Sequence, residues 1–252
     1  MSAARAADDR IAVVVPCWNE QDRLNRLEID VLLSAAANLA VILVDDGSTD
    51  ATLSLLRTIA KQRSDADVAV VALSRNIGKG EAVRAGMRAA LASNPAWVGY
   101  VDADFATPAA EMVRLIEVAR GAPTCNAVVG SRVALLGRRI TRTPFRHYTG
   151  RAFATIASIV LGIAVYDTQC GAKLFRAGPV LESALAEPFR SRWAFDVELL
   201  GRLLRGGFAA DTFREEPLEV WHDRPGSKRS VRSSLRATAS LVTIRRDLRR
   251  PI

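Results

Sequence analysis

Short, almost continuous apolar runs alternate with longer amphipathic stretches through the first half of the chain. Apolar runs of this kind predict strands covered on both faces, as in a parallel sheet. The predicted strands span residues 11–15, 40–44, 68–72, 97–101 and 127–129. The predicted helices span residues 21–37, 50–63, 79–92 and 108–120, the last with Thr107 as its N-cap. Repeated strand–helix–strand units imply a right-handed, doubly wound α/β fold with a mostly parallel, Rossmann-like sheet.

The second half of the chain has a less regular pattern. Residues 133–150 form a predicted basic loop, residues 151–165 a short apolar helix and residues 193–204 a further helix. Strands are predicted at residues 170–175, 208–213 and 217–221, the last two as a pair. We expect a flexible tail over residues 1–10, one α/β domain over residues 11–230 and a basic, amphipathic C-terminal helix over residues 231–252.

Polar side chains follow every predicted strand of the first half. The segments are PCWNE (16–20), DDGSTD (45–50), SRNIGKG (74–80), DAD (102–104) and GSR (130–132). Ligands of doubly wound sheets bind beyond the carboxyl ends of the strands. The sequence therefore predicts one shared pocket at this edge of the sheet.

Asp102 and Asp104 are the strongest candidates for a metal site. In an extended segment, residues two apart point to the same side, and two neighbouring carboxylates repel unless a cation lies between them. Mg²⁺ or Mn²⁺ accepts such oxygens and keeps positions open for phosphate. His222 is a candidate for a further metal or phosphate contact, although a lone histidine is more often structural. The alternative for the two aspartates is a solvated loop ahead of the next helix.

Other strand-end residues suit a nucleotide. Asp45 and Asp46 can accept hydrogen bonds from ribose hydroxyls or a base N–H, although the same segment also fits a turn with helix caps. Asn19 and Glu20 offer further donors and acceptors. Lys79 lies near a predicted helix start, where anions are favoured, but the chain lacks the GxxxxGK[ST] phosphate loop.

Charge is distributed unevenly along the chain. The 252 residues carry 35 Lys and Arg against 27 Asp and Glu, for a net charge of +8. Residues 132–151 contain six arginines and no acid, and residues 223–252 contain nine basic residues and two acids. The remainder is therefore acidic, which favours local anion sites over a surface that coats nucleic acid. We expect no nucleic-acid partner, and a non-catalytic protein that binds nucleic acid through its basic tail stays as the alternative.

Cysteine spacing and hydropathy bear on the compartment. Cys17, Cys125 and Cys170 form no CxxC pair, which fits a reducing compartment without disulfides. The longest apolar stretch, residues 152–165, is shorter than the ~20 residues of a spanning helix. The first residues lack the apolar core of a secretion signal. We expect a cytoplasmic protein at the cytoplasmic face of the membrane, which residues 152–165 and 235–248 contact as interfacial helices. The alternative is that the first is core and the second a solvated tail.

The motifs, in their order along the chain, resemble those of the inverting GT-A glycosyltransferases of family 2. They are PCWNE, VDDGSTDAT, RNIGKGEAVRAGM, VDADFATP, GSR, DTQCGAKLF, RWAFDVELL and HDRPGSK, and they cover roughly residues 11–230. TQCGAKLF and RWAFDVELL are most similar to the dolichyl- or polyprenyl-phosphate glucosyltransferases, and next to the polyprenyl-phosphate mannosyltransferases. The resemblance implies a GT-A fold, dependence on Mg²⁺ or Mn²⁺, and inverting transfer of a hexose from UDP-glucose to a polyprenyl or dolichyl phosphate.

The resemblance also implies roles for single residues on the donor side. The positions that hold the nucleotide match Pro16, Asn19, Glu20, Asp45 and Asp46. Asp102 and Asp104 match the metal-binding DxD motif. Ala106 stands where the mannosyltransferases carry a glutamine that contacts the metal site, and this departure favours the glucosyl branch. On physical grounds, Arg224, Lys228 and Arg229 suit closure over the donor diphosphate and stabilisation of departing UDP.

On the acceptor side, Arg132 matches the arginine that meets the acceptor phosphate. Gln169 and Lys173 match the segment that lines the acceptor and donor-sugar pocket, and Asp196 and Glu198 match the acidic pair that includes the base in most family members. A phosphate monoester has a second pKa near about 6 and is already ionised at neutral pH. Asp196 is therefore not required as a base and could instead orient the sugar or help the metal.

Three other readings share parts of this evidence. Within the same fold, the donor could be GDP-mannose or the acceptor a soluble sugar. A third reading is an inactive protein that senses nucleotide sugars. Release of UDP or GDP with each candidate donor separates the first two, and binding without turnover identifies the third.

Overall fold

The computed structural model describes residues 10–35, 38–141, 144–223 and 231–248, and it describes no side chains for residues 144–147 and 231–239. Its strands are β1 Ile11–Cys17, β2 Leu39–Asp45, β3 Asp67–Ala72, β4 Trp97–Val101, β5 Ala127–Ser131, β6 Arg139–Ile140, β7 Ala172–Arg176, β8 Phe213–Pro217 and β9 Val220–Trp221. Its helices are α1 Arg26–Ala35, α2 Thr52–Gln62, α3 Lys79–Leu91, α4 Ala109–Arg120, α5 Pro144–Leu161, α6 Pro179–Ala186, α7 Phe195–Gly206 and α8 Val231–Leu248.

Seven of the described strands form one sheet in the order β3-β2-β1-β4-β7-β5-β8. β7 runs antiparallel to β4 and β5, and every other pair in this sheet is parallel. β6 and β9 form a separate, parallel two-stranded sheet. The chain winds outward from β1 to β3 and then returns to place β4 on the other side of β1. The crevice beyond the carboxyl ends of β1 and β4 is therefore the switch point where open α/β sheets bind ligands.

The alternation of side chains along the strands creates a core on each face of the sheet. Val13 and Val15 of β1 face one core with Ile29 of α1, Leu56 of α2 and Met112 of α4. The opposite core contains Val14 with side chains from α3, α6 and α7, which include Met87, Leu181 and Leu200. Because both faces of β1, β2, β4 and β5 are covered, these strands read as continuous apolar runs. The edge strand β3 is partly exposed but also apolar, and all five strands predicted in the first half are confirmed.

The start of α1 and the N-cap of α4 differ from the prediction. Helix α1 begins at Arg26 rather than at residue 21, since the Glu20 carbonyl accepts bonds from the N–H groups of Arg23 and Leu24 and holds a turn there. The prediction of Thr107 as an N-cap is wrong: Pro108 is the N-cap of α4 and gives no side-chain cap. Glu28 of α1 caps α4 instead, because its carboxylate accepts the Ala109 N–H at 2.7 Å.

The second half departs further from the sequence-based picture. The predicted pairing of residues 208–213 with 217–221 is wrong, since β8 pairs with β5 and β9 pairs with β6. Helix α5 begins at Pro144, inside the predicted basic loop, and α6 was not predicted. The other two predictions are shifted by about two residues: the strand is Ala172–Arg176 and the helix Phe195–Gly206.

The last helix packs against the protein in its described part. Leu241 and Ile244 are buried in a cluster with Ala157 of α5 and Val197 of α7. These two side chains are core, so they are not available to a membrane, whereas Val242 is more than half exposed. No helix within the described residues combines the length and hydrophobicity that a bilayer span requires. Residues 1–9, most of the predicted flexible tail, lie outside the described residues.

Candidate active site

The DxD segment follows β4 in a tight turn at the switch point. The Phe105 N–H donates to the Asp102 carbonyl at 3.0 Å, and Phe105 takes a φ of 44°, which few residues other than glycine adopt. Its fully buried ring anchors the turn in the core. The backbone of Asp102 also bonds to the Gly171 carbonyl at 3.0 Å. The buried Phe105 ring and the hydrogen bond to Gly171 thus hold the turn in place. Such support is what keeps a site in a defined geometry.

Gly171 makes room for the Asp102 carboxylate. A Cβ atom at this position would lie 2.3 Å from Cγ and Oδ2 of Asp102, a distance no real side chain tolerates. Because Gly171 has no side chain, the DTQCGAKLF segment leaves the space that the Asp102 carboxylate occupies in the candidate metal site.

The two carboxylates of the DxD segment share a positively charged neighbour. Lys79, the first residue of α3, places Nζ 2.5 Å from Oδ1 of Asp102. Burial, and then the charge of Asp102, raise the pKa of the Asp104 carboxyl, while Lys79 and Arg23 act in the opposite direction. Two crowded carboxylates with hard oxygen atoms fit a divalent cation that completes its shell with water and diphosphate. The described residues contain no cluster of three or more metal-ligating side chains, so the role of His222 as a further ligand stays a prediction.

His222 nevertheless lies beside this turn, since its backbone N–H donates to the Ala106 carbonyl at 2.9 Å. Its side chain is exposed. The loop that follows it, with Arg224, Lys228 and Arg229, lies outside the described residues.

Asp45 and Asp46 differ in how fully they are bonded. Asp46 accepts three bonds at 2.9 Å, from Asn76 Nδ2 and from the N–H groups of Ile77 and Gly78, and so holds the loop that carries Lys79. Asp45 is equally buried, and its Oδ2 accepts the Ser48 N–H at 3.2 Å. Its Oδ1 has no hydrogen-bond partner among the described residues. An unpaired buried carboxylate oxygen is costly, which makes Asp45 the better candidate for a nucleotide contact.

The residues after β1 are tied to the loop after β2. The Asn19 side chain accepts the Thr49 N–H at 2.9 Å, and Ser48 Oγ accepts the Asn19 N–H at 3.0 Å. Glu20 accepts a bond from Arg23 Nε at 2.9 Å. Pro16 pairs in register with Val44 of β2. These contacts place the predicted nucleotide residues along one rim of the crevice, although most of their hydrogen-bonding capacity holds the loops together.

Arg132 is buried and paired at the end of β5. Its Nε and Nη2 donate to the two carboxylate oxygens of Asp167 at 2.6 and 2.8 Å, and its guanidinium carbon lies 5.4 Å from the centre of the Trp221 ring. Burial lowers the pKa of Arg132, but Asp167 beside it raises the pKa by more, and Asp102 adds to the rise. Arg132 is thus within electrostatic reach of the DxD segment. Asp167 and Trp221 were not singled out from the sequence.

A second carboxylate holds Asp167 in place. Glu215 of β8 accepts the N–H groups of Tyr166 at 2.7 Å and Asp167 at 2.6 Å. The buried hydroxyls of Ser131 and Thr168 flank the Arg132–Asp167 pair and lack hydrogen-bond partners within the described residues. A ligand oxygen or an ordered water would satisfy them. Sequence spacing gave no sign of this network, because its members lie 35 and 48 positions apart.

Lys173 and Asp196 form a buried network rather than an open pocket wall. Lys173 is fully buried, and its Nζ donates to Asp196 Oδ1 at 2.7 Å and to the Tyr100 hydroxyl at 3.0 Å. The Tyr100 hydroxyl also bonds to Asp196. Burial, and then the charge of Asp196, raise the pKa of Tyr100. Lys173 is therefore enclosed by protein and Asp196 Oδ1 is engaged in an ion pair, and the roles of both residues at the acceptor stay predictions.

Glu198 and Gln169 also have structural partners. Glu198 accepts the N–H groups of Arg190 and Ser191 and pairs with Arg202 at 2.7 Å, so it fastens the segment ahead of α7. Gln169 donates to the Trp193 carbonyl at 3.1 Å and is only partly buried. Gln169 lies two residues before Gly171, and its role at the acceptor stays a prediction.

Comparison with known proteins agrees with this architecture. The model of the family described as Glycosyl transferase family 2 matches residues 12–181. The dolichyl-phosphate beta-glucosyltransferase of Drosophila melanogaster is 33% identical over 237 residues, covering 86% of this chain and 68% of the relative. That of Saccharomyces cerevisiae is 28% identical, covering 93% and 74%. An undecaprenyl-phosphate 4-deoxy-4-formamido-L-arabinose transferase of Pseudomonas aeruginosa is 29% identical, covering 93% and 65%.

Solved structures share the fold. Glucosyl-3-phosphoglycerate synthase from Mycobacterium tuberculosis, in complex with Mn²⁺, UDP-glucose and phosphoglyceric acid, superposes with a TM-score of 0.69 at 22% identity and covers 96% of this chain and 82% of that one. A mannosyltransferase from Pyrobaculum calidifontis, in complex with GDP-Man and Mn²⁺, gives 0.59 at 19% identity, covering 96% and 65%. The fold is GT-A, with a mostly parallel central sheet. The chain is a glycosyltransferase and belongs to glycosyl transferase family 2.

Proposed function

We propose that the protein transfers glucose from UDP-glucose to a polyprenyl or dolichyl phosphate, with inversion at the anomeric carbon. The observation that carries the proposal is that two charged elements follow β4 and β5, which run in the same direction on either side of β7. The DxD carboxylates with Lys79 form one, and the buried Arg132 on its Asp167 support forms the other. The names of the relatives from Drosophila melanogaster and Saccharomyces cerevisiae support both the sugar and the lipid phosphate.

On the donor side, Asp102 and Asp104 would hold Mg²⁺ or Mn²⁺. The bound cation would neutralise charge on the diphosphate as UDP departs. Lys79 and the start of α3 add positive charge at the same place, which suits an anion at a helix N-terminus. Asp45 Oδ1 offers the unpaired acceptor for a ribose hydroxyl or base N–H.

On the acceptor side, Arg132 binds the phosphate. Asp167 uses Nε and one N–H of Nη2. Nη1 and the second N–H of Nη2 have no hydrogen-bond partner among the described residues, and this edge suits two phosphate oxygens. An ionised phosphate oxygen attacks the anomeric carbon from the face opposite UDP. The new carbon–oxygen bond forms as the bond to UDP breaks, and UDP leaves with the electron pair. No proton has to be removed, which agrees with the commitment of Asp196 to Lys173.

Location is part of the proposal. The acceptor lipid resides in a membrane, so the protein works as a peripheral protein at the cytoplasmic face. The exposed Arg139, in the arginine-rich stretch from Arg132 to Arg151, carries charge of the sign that anionic lipids attract.

A donor screen tests the proposal. Purified protein is mixed with a short-chain polyprenyl phosphate, Mn²⁺ or Mg²⁺, and either UDP-glucose or GDP-mannose, and the released nucleotide is measured. We expect UDP release that depends on both acceptor and metal, and no comparable GDP release. Release from GDP-mannose alone, or UDP release only with a soluble sugar or phosphorylated small molecule as acceptor, would overturn the assignment.

A further inference from the structure

The loop between β5 and β6 presents two leucines to solvent. Leu136 is 104% exposed and Leu135 is 47% exposed, although most large apolar side chains of the described chain are covered. We call residues 133–138 the apolar finger. Exposed apolar side chains that adjoin one another on a surface mark contact sites more often than scattered ones do.

The backbone of the apolar finger holds the leucines outward. The Arg138 N–H donates to the Leu135 carbonyl at 3.1 Å and closes a turn with Leu136 at its tip. Gly137 has a φ of +81° and nothing within 4 Å of a would-be Cβ, which fits the third residue of a type II turn. The exposure of Leu136 is therefore a product of turn geometry.

Both ends of the apolar finger are anchored. At its root, Arg132 is buried against Asp167, as described above. At its far end, the Arg139 N–H donates to the Glu219 carbonyl at 2.7 Å, Arg138 pairs with the Glu219 carboxylate, and β6 joins β9. The tip of the loop therefore lies between two segments that are each held by contacts with the rest of the protein.

The apolar finger lies in a basic stretch of the sequence, in which Arg132 and Arg138 are ion-paired with Asp167 and Glu219. Residues 132–151 contain six arginines and no acidic residue, and Arg139 is exposed beside the tip. Apolar side chains flanked by basic ones suit a surface that offers anionic headgroups outside and hydrocarbon beneath.

We infer that the apolar finger inserts Leu135 and Leu136 into the surface of an anionic phospholipid bilayer. The inference rests on the proposed function, in which Arg132 holds the phosphate of a lipid acceptor. Leu135 is three positions after Arg132, and such a segment spans at most about 10 Å. That reach lets the acceptor phosphate meet Arg132 while its hydrocarbon chain stays in the bilayer that the leucines enter.

Vesicle sedimentation tests the inference directly. The double variant Leu135→Ser/Leu136→Ser is compared with the wild type on phosphatidylcholine vesicles with and without phosphatidylglycerol. The matched control is Leu27→Ser, because Leu27 of α1 is 72% exposed and lies outside the apolar finger. We expect the partition coefficient of the double variant to fall at least about tenfold, from the transfer free energy of two leucines. We expect the control to bind as the wild type, and binding to weaken without the anionic lipid.

Turnover separates this inference from the proposed function. With a short-chain polyprenyl phosphate in solution, the double variant should match the wild type, whereas with a long-chain acceptor in vesicles it should lose most of its rate. If the wild type turns over neither acceptor, the proposed function fails while the sedimentation result still decides the inference. Vesicle binding of the double variant at the wild-type level overturns the inference. So does a concentration-dependent dimer that the substitutions dissociate while vesicle binding persists.

Discussion

Arg132 is a buried side chain whose pairing with Asp167 uses only part of its hydrogen-bonding capacity. A guanidinium has five N–H donors, and the side-on pairing with Asp167 takes two of them. Trp221 lies against the group, and Glu215 fixes the backbone of Asp167. The sequence indicated Arg132 through its place in the GSR segment. It could not indicate Asp167 or Glu215, because contacts between distant positions leave no local pattern.

Asp167→Asn tests the positioning role of Asp167. The amide would present N–H groups to the guanidinium, so Arg132 should turn away from its present orientation. We expect the KM for polyprenyl phosphate to rise at least about tenfold, from the loss of one charged hydrogen-bond partner, while the KM for UDP-glucose stays within about twofold. Steady-state kinetics with each substrate varied in turn provides the measurement.

The control for this variant is Asp65→Asn, which removes the exposed partner of Arg63 and should change neither constant. A merely structural role for Asp167 would lower the melting temperature and the active fraction, and so would leave both KM values unchanged.

Gly171→Ala tests whether position 171 must lack a side chain to leave room for the Asp102 carboxylate of the DxD segment. The added Cβ would lie 2.3 Å from the Asp102 carboxylate, so the carboxylate must move. A displacement of about 1 Å at a reacting centre costs up to about a hundredfold in rate. We expect a loss of turnover of that order, with a folded protein by circular dichroism. Gly121→Ala is the matched control, because its Cβ would meet nothing closer than 3.4 Å. Wild-type turnover in both variants would show that the space at position 171 is not needed for catalysis.

At the scale of elements, the first half of the fold was predictable and the second half was not. Strands β2 and β4 are buried along their whole length and β1 at every position but Pro16, so hydrophobicity alone reveals them. The sequence FREEP of β8 is mostly polar and lies at the sheet edge, and β6 and β9 have two residues each, so neither shows a strand pattern. The antiparallel β7 enters between β4 and β5 by a long-range crossover that no local signal encodes.

The network that joins β4, β7 and α7 makes a stability prediction. Lys173→Met would leave the Asp196 carboxylate buried without its cation, since the side chains of the pair are 0% and 7% exposed. Removing one partner of a buried pair costs about 3–5 kcal/mol. We expect chemical denaturation to show a loss of that order, and the double variant Lys173→Met/Asp196→Asn to recover part of it.

The control here is Lys61→Met on the exposed surface of α2, which should change the free energy of unfolding by less than about 0.5 kcal/mol. Equal stability of Lys173→Met and the wild type would show that the ion pair contributes nothing to β7 docking.

At the scale of the whole molecule, the winding of the sheet and the placement of charge act together. The order β3-β2-β1-β4 creates a crevice beside β1, and the loops after β1, β2 and β4 bring acidic side chains to it. The net charge of +8 is concentrated in two stretches of sequence, of which the first begins at Arg132. The sequence was sufficient to predict that acidic side chains lie at the crevice and that the positive charge lies in these two stretches. The unpaired oxygen of Asp45, and the engagement of Asp46, Lys173 and Asp196 with protein partners, required the three-dimensional structure.

The most direct test of the central claim compares wild type and Asp104→Asn in a single assay of UDP release from UDP-glucose with polyprenyl phosphate and Mn²⁺. Asp104 lies in the DxD turn, where the charge of Asp102 adds to burial in raising its pKa. We predict metal-dependent release by the wild type and a loss of at least about a hundredfold in the variant, with an unchanged melting temperature. Metal-dependent release by Asp104→Asn at the wild-type rate would contradict the account.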